Sequence, residues 1–271
     1  MTDTNALAQN VIAVGSGKGG VGKSTVAVNL AVSLAAEGAA VGLLDADIHG
    51  PNIPIMMGIR EQPRLDQDRK LIPLERHGVK LMSVGFMGGS SKPVIWRGPL
   101  VGRMIKQFLY NVDWGALDYL LIDLPPGTGD AQLTLTQSVA LTGGIIVSTP
   151  QDVALQDALR GLDMFLKVEV PVLGLIENMS YFLCPHCHER SDIFSHGGTH
   201  EAAEARRVPF LGALPLDTRI RQGGDLGIPI VVSEADSSHA DCFRGMCREL
   251  QASIEKNRAN QPVRTLQIDQ D

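Results

Sequence analysis

Nine residues near the start of the chain, Gly17-Lys18-Gly19-Gly20-Val21-Gly22-Lys23-Ser24-Thr25, satisfy the pattern G-x-x-x-x-G-K-[ST], which is suited to holding phosphate. Glycines let the backbone wrap closely around phosphate oxygens, so that successive N–H groups and a helix N-terminus point at the anion. Lys23 would neutralise the β- and γ-phosphates of a nucleotide, and the Ser24 hydroxyl would ligate Mg²⁺. A glycine-rich turn capping a helix would explain the glycines, but not Lys23 and Ser24 together.

Two acidic stretches follow. Asp45 closes the apolar run Val41-Gly42-Leu43-Leu44 and leads into Ala46-Asp47-Ile48-His49-Gly50-Pro51-Asn52. Open α/β sheets place ligands at the carboxyl ends of their strands, which sets Asp45 near the Mg²⁺ shell. A polar strand-to-loop cap would use the same residues, and His49 is read as a loop residue. In Leu121-Ile122-Asp123-Leu124-Pro125-Pro126-Gly127-Thr128-Gly129-Asp130, Asp123 ends an apolar strand as a Walker B acid must, to hold Mg²⁺ through water. Gly127 can offer an N–H to the γ-phosphate, making this segment a switch that senses hydrolysis.

A third kind of chemistry lies at Cys184-Pro185-His186-Cys187. C-x-x-C spacing lets two thiolates bind one metal or one edge of a cluster. Three readings compete: a redox dithiol, a zinc site completed by His186, His188 or His196, and a cluster site shared between two chains. The redox reading expects a thioredoxin-like fold and ranks last. Closed zinc sites need four ligands, and a second C-x-x-C is missing. A dimer would double the pair to four thiolates about its two-fold axis, the ligand count of a [4Fe-4S] cluster.

The elements that must position these groups read as α/β. Short apolar runs bounded by Gly, Asp or Pro alternate with segments of helical period, the pattern of a mostly parallel sheet flanked by helices on both faces. Strands are expected at Val11–Val14, Val41–Leu44, Leu81–Val84, Tyr119–Ile122, Ile145–Ser148, Val172–Ile176 and Phe210–Leu214. Val26, Leu30 and Leu34 place one apolar stripe on a helix that Gly38 ends. Arg60 to His77, charged and carrying Pro63 and Pro73, reads as an excursion from the sheet. Cys242 and Cys247, five apart in a helical segment, read as packing residues.

At 271 residues and 44% hydrophobic content, the chain can bury a full core. The expected organisation is a polar N-terminus over 1–9, one P-loop domain over 10–256 and a polar tail over 257–271. A net charge of −6 and a pI near 5.6 give no electrostatic footprint for nucleic acid. No apolar run suits a secretory signal or a membrane span, so a cytoplasmic protein is expected.

Lys18-Gly19-Gly20-Val21-Gly22-Lys23-Ser24 resembles the deviant Walker A class that includes MinD, ParA and the nitrogenase iron protein, P-loop NTPases of SIMIBI type. The resemblance implies an ATP-dependent homodimer in which Lys18 crosses to the partner's nucleotide, supplying charge in trans as an arginine finger does. It also implies that Asp47 orients the attacking water, that Asn178 contacts adenine, and that Pro215-Leu216-Asp217 encloses the base from the other side. Ordinary turn chemistry would also use Asn178 and Asp217.

In order, the deviant P-loop, Asp45-Ala46-Asp47, Gly50-Pro51, Asp123-Leu124-Pro125-Pro126-Gly127-Thr128-Gly129-Asp130, Asn178-Met179-Ser180 and Cys184/Cys187 resemble the Mrp (ApbC-like) iron–sulfur cluster carriers over roughly residues 10 to 232. Trp96-Arg97-Gly98-Pro99 adds to that resemblance. Asn52 departs from it, standing where serine is usual, and the additional N-terminal domain of many members is not expected here. The family's function implies a slow ATPase and homodimer that receives a cluster from an assembly scaffold, binds it through Cys184 and Cys187, and passes it to apoproteins. Two alternatives remain. A MinD- or ParA-like spatial regulator would need an amphipathic C-terminal helix or a basic face. The other is a P-loop ATPase with structural zinc, separable by metal analysis.

Overall fold

The computed structural model describes residues 7–48, 50–87 and 98–260. Its frame is an eight-stranded sheet of β1 (Asn10–Ser16), β2 (Val41–Asp45), β3 (Leu74–Arg76), β4 (Val79–Ser83), β5 (Tyr119–Asp123), β6 (Gly143–Ser148), β7 (Val172–Glu177) and β8 (Phe210–Ala213). The spatial order is β8-β7-β6-β1-β5-β2-β4-β3. All neighbouring pairs are parallel except β3 with β4. Every residue of β1, β2, β6 and β7 is buried, which is why these strands read as unbroken apolar runs.

All seven expected strands form. The eighth corrects the reading of Arg60–His77 as an excursion: Leu74–Arg76 pairs antiparallel along the sheet edge. Its polar sequence hid it, because an edge strand has one side open to water and needs little apolar character.

Helices follow the strands: α1 (Lys23–Ala36), α2 (Ile53–Met56), α3 (Gly98–Tyr110), α4 (Asp130–Ser138), α5 (Asp152–Lys167), α6 (Gly198–Arg206), α7 (Thr218–Leu226), α8 (Ile230–Ser233) and α9 (Ser238–Asn260). Val26, Leu30 and Leu34 are fully buried on α1, which packs on β1, β2, β5 and α9. Each such side chain contributes roughly 1.5–3 kcal/mol relative to exposure. The chain leaves α1 through Gly38 at φ +94°, a left-handed conformation that glycine adopts without a Cβ penalty. On α9, Cys247 is buried and Cys242 half-buried. The helix runs through Asn260, past the boundary set at 257, because Ser253 and Ile254 still bury one face of its last turns. Of the sequence readings, His49, Trp96 and Arg97 lie outside the described residues.

Parallel register brings the strand ends to one edge. Asp45 stands beside Asp123 and beside Ser83, and Ser148 stands beside Glu177. The phosphate loop leaves the central strand, β1, between them.

Candidate nucleotide site and cysteine hairpin

The loop from Gly17 to Gly22 joins the buried end of β1 to the first turn of α1. Its glycines serve different ends. Gly20 and Gly22 take φ of 81° and 82°, so the loop turns through conformations that L side chains rarely adopt. Gly17 answers to packing: a Cβ there would lie 2.0 Å from the backbone carbon of Asp157 in α5. Gly17 and the buried Val21 therefore shape the loop from behind, while Lys18, Gly19, Gly20, Gly22, Lys23, Ser24 and Thr25 line a cavity of about 350 Å³ together with Asp47.

At the floor of this cavity, Lys23 Nζ lies 2.7 Å from Asp123 Oδ1, and Ser24 Oγ donates to Asp123 Oδ2 at 2.6 Å. Asp123 is fully buried. Burial raises its pKa, opposed by the Lys23 ammonium and the two hydrogen bonds. Asp47 Oδ2 stands 3.8 Å from Lys23 Nζ. Asp45 lies one layer back, accepting from Ser83 Oγ at 2.8 Å and from the Asp47 N–H at 3.2 Å. Burial and the neighbouring Asp123 push the Asp45 carboxyl up to about 7, so near neutrality it is poised between charged and neutral forms. The oxygen donors of Ser24 and Asp123 fit a hard divalent cation. Gly127, at φ +95°, donates its N–H to the Ser16 carbonyl at 3.0 Å.

A second cavity of about 460 Å³ opens beside the first, sharing Gly22, Thr25, Asn52 and Met56 with it. Asn178, Met179, Pro215, Leu216 and Asp217 form its walls, so the two segments read as base-enclosing do meet across one space. Asn178 Nδ2 donates to the Val21 carbonyl at 2.8 Å, tying this wall to the phosphate loop. Asp217 lines the cavity while its carboxylate is engaged elsewhere. It caps α7 through the Arg219 N–H at 2.8 Å, bonds the Arg219 guanidinium, and meets His239 Nε2 at 3.0 Å. The Arg219 bonds chiefly hold its carboxyl down to about 2.

Cys184 and Cys187 sit at the tip of a two-stranded hairpin, Phe182–Leu183 against Arg190–Ser191. Cys187 is exposed and Cys184 half-exposed. The Cys187 and His186 backbone N–H groups point at the Cys184 sulfur and hold its thiol below the ordinary value. Among the described residues, no three His, Cys, Asp or Glu side chains gather in a way that could hold a metal ion. His196, one of the histidines offered for zinc, instead has Nδ1 2.7 Å from Ser180 Oγ.

Sequence reasoning passed over three buried groups here. Ser83 orients Asp45, and Gln132 Nε2 donates to the Pro125 carbonyl at 2.5 Å, bracing the segment after Asp123. Glu177 is the third. It ends an apolar strand as Asp45 and Asp123 do, and the same signal would have found it.

Known proteins share this fold. A "nucleotide-binding protein in complex with ADP" from Archaeoglobus fulgidus superposes with a TM-score of 0.75 at 41% identity, over 88% of this chain and 93% of that one. The cell division ATPase MinD of Pyrococcus furiosus shares the fold at 23% identity and a TM-score of 0.69, over 90% of this chain and 99% of its own. An iron–sulfur cluster carrier protein of Synechocystis sp. is 53% identical over 91% of this chain and 71% of its own length. The iron–sulfur cluster transfer protein NUBPL of Mus musculus is 48% identical over 89% and 76%. With a family model matching residues 7–251 as well, the chain belongs to the NUBPL iron-transfer P-loop NTPases of the ParA group.

Proposed function

We propose that this protein is a cytoplasmic, homodimeric ATPase that carries an iron–sulfur cluster between Cys184 and Cys187 of two copies and delivers it to apoproteins. The observation that carries the reading is the pair of thiols presented at an exposed hairpin tip, outside the nucleotide cleft. Two thiolates are half the ligand set of a [4Fe-4S] cluster, and a two-fold axis supplies the rest. Cluster receipt from an assembly scaffold and release to acceptors both require such accessibility.

In the nucleotide cleft, Lys23 would exchange its Asp123 partner for the β- and γ-phosphates, and the loop N–H groups would cradle them. Ser24 Oγ and Asp123 would hold Mg²⁺, which would supply positive charge beside the phosphates. Asp47, which lines the same cavity 3.8 Å from Lys23, would orient the attacking water. Lys18 lines that cavity as well, from which it would reach a partner's phosphates and place a second cation on the transition state. Gly127 would release Ser16 and turn its N–H to the γ-phosphate, coupling occupancy to the Asp123–Gly129 segment. Asn178 would face the base, with Pro215, Leu216 and Asp217 lining the same cavity. These roles are supported by the shared cleft and the family membership.

Anaerobic reconstitution with iron and sulfide tests the reading. Wild type should gain the visible absorption of a cluster, and the Cys184→Ser, Cys187→Ser double variant should gain none. Equal iron in both, or a wild type that holds only zinc, would contradict it.

A further inference from the structure

Glu177 stands one residue before Asn178 and is fully buried. Its Oε1 accepts from Ser180 Oγ at 2.6 Å and from the Gly197 N–H at 2.9 Å, and its Oε2 accepts from the Thr199 N–H at 2.8 Å. Burial alone would raise its pKa, but these bonds prevail and hold the carboxyl below its ordinary value. One carboxylate thereby joins the two segments that flank the cysteine hairpin: Ser180 precedes it, while Gly197 and Thr199 open α6 after it.

Further contacts bind the hairpin base to the same point. Next to the Ser180 contact, the His196 ring meets Tyr181 edge-on at 6.4 Å. The Arg190 guanidinium, from the hairpin's return strand, lies 4.7 Å over the Tyr181 ring. Toward the nucleotide, Asn178 and Met179 line the base cavity. The Ser180 N–H donates to the Leu214 carbonyl and the Leu216 N–H donates to the Tyr181 carbonyl, so both walls of that cavity converge at the hairpin root. Met179, between them, holds φ at 55°, a left-handed turn that a non-glycine residue keeps only where its surroundings over-determine it.

We propose that Glu177 is a positioning residue for the cysteine pair, its carboxylate fixing both roots of the hairpin to the wall of the base cavity so that nucleotide binding shifts Cys184 and Cys187. The biological meaning of this link rests on the carrier reading above, but its test does not. Nucleotide and thiols then communicate through strand β7 and its first turn, within one chain.

The test uses the full chain, reduced and metal-free, with alkylation of each cysteine by iodoacetamide followed by peptide mass spectrometry, with and without saturating ADP. Cys247, buried and with its thiol pushed up to about 12, reports whether the fold is intact. In wild type, ADP should change the Cys184 rate by roughly fivefold. Glu177→Gln keeps the shape but turns an amide N–H toward donors, and should abolish that change while ADP still binds and Cys247 stays protected. A wild-type rate indifferent to bound ADP, or a Glu177→Gln response equal to wild type, overturns the proposal. If Glu177→Gln exposes Cys247, Ser180→Ala carries the test, because it removes the Ser180 bonds to Glu177 and His196 but spares the Gly197 and Thr199 bonds that anchor α6. It should weaken the ADP response, and a full wild-type response in it overturns the link. A purely structural cap would alter Cys247 protection and leave the ADP response intact. Since no iron is needed, failure of the carrier reading, seen in cluster loading, is told apart from failure of this link.

Discussion

At the phosphate site, Lys23 and Asp123 are 5% and 0% exposed and meet at 2.7 Å beneath a loop in which the α5 backbone constrains Gly17 and positive φ constrains Gly20 and Gly22. At the cysteine hairpin, two residues pair with two, Cys187 is exposed, and Leu183 and Ile193 leave apolar surface in water. The first site already gathers Lys23, Ser24, Asp47 and the loop around one cavity, so that a ligand would exchange a few partners within existing walls, which suits chemistry that depends on preorganised electrostatics. The second presents two ligands and no enclosure, which suits cargo that must enter, be shared and leave. The contrast places rigidity where phosphate is handled and exposure where transfer happens, with Glu177 between them.

The largest expected effect tests the rigid side. Lys23→Ala should lower ATP turnover by about 10²-fold or more, since one preorganised charge at a transition state is worth that much, while cluster loading at Cys184 and Cys187 should persist. Loss of both in a folded variant would erase the distinction between the two regions. Steady-state hydrolysis and iron content measure it.

Next comes Gly17→Ala. Its methyl would overlap the α5 backbone at Asp157, and backbone offers no flexible end to move aside, so a cost of about 2 kcal/mol or more is expected. Thermal unfolding should fall by about 5 °C or more. Gly19→Ala meets only Pro126 at 3.9 Å and should leave stability within about 0.5 kcal/mol. Equal losses in the two variants would show that the glycines answer to the loop rather than to α5.

The smallest effect sharpens the electrostatics. With its carboxyl at about 7 in the fold against 3.8 ordinarily, native Asp45 holds a proton that the unfolded chain has released between those pH values. Stability of the nucleotide-free protein should therefore decline as pH rises through that window. The decline should be on the order of 1 kcal/mol, because real interiors respond with a higher effective dielectric than a dry one. Asp45→Asn should lack this component in urea titrations at pH 5 and pH 8, and parallel curves for the two proteins would contradict it.

How much of this was legible in the sequence divides along the same line. The phosphate loop, Asp45 and Asp123 could be read because each ends or follows a strand buried along all or most of its length, and such strands announce themselves as apolar runs ending in a polar residue. Leu74–Arg76 could not, since its partner is one edge of a sheet. Asp217 was read for its position, yet its carboxylate serves α7, Arg219 and His239, a set of partners that only folding assembles. Gly17 was read as a phosphate residue, although its constraint comes from a helix about 140 residues later in the chain. Cys184 and Cys187 could be read as a pair. The Glu177 anchor beneath them could not be weighed until Gly197 and Thr199 were seen to reach the same carboxylate.

The central claim is that the cysteine site is completed only by a second copy of the chain, and native mass spectrometry of the anaerobically reconstituted protein tests it most directly. The account predicts iron on dimers alone, about four per two chains, with monomers bare. Iron retained on monomers at the same ratio per chain would contradict it.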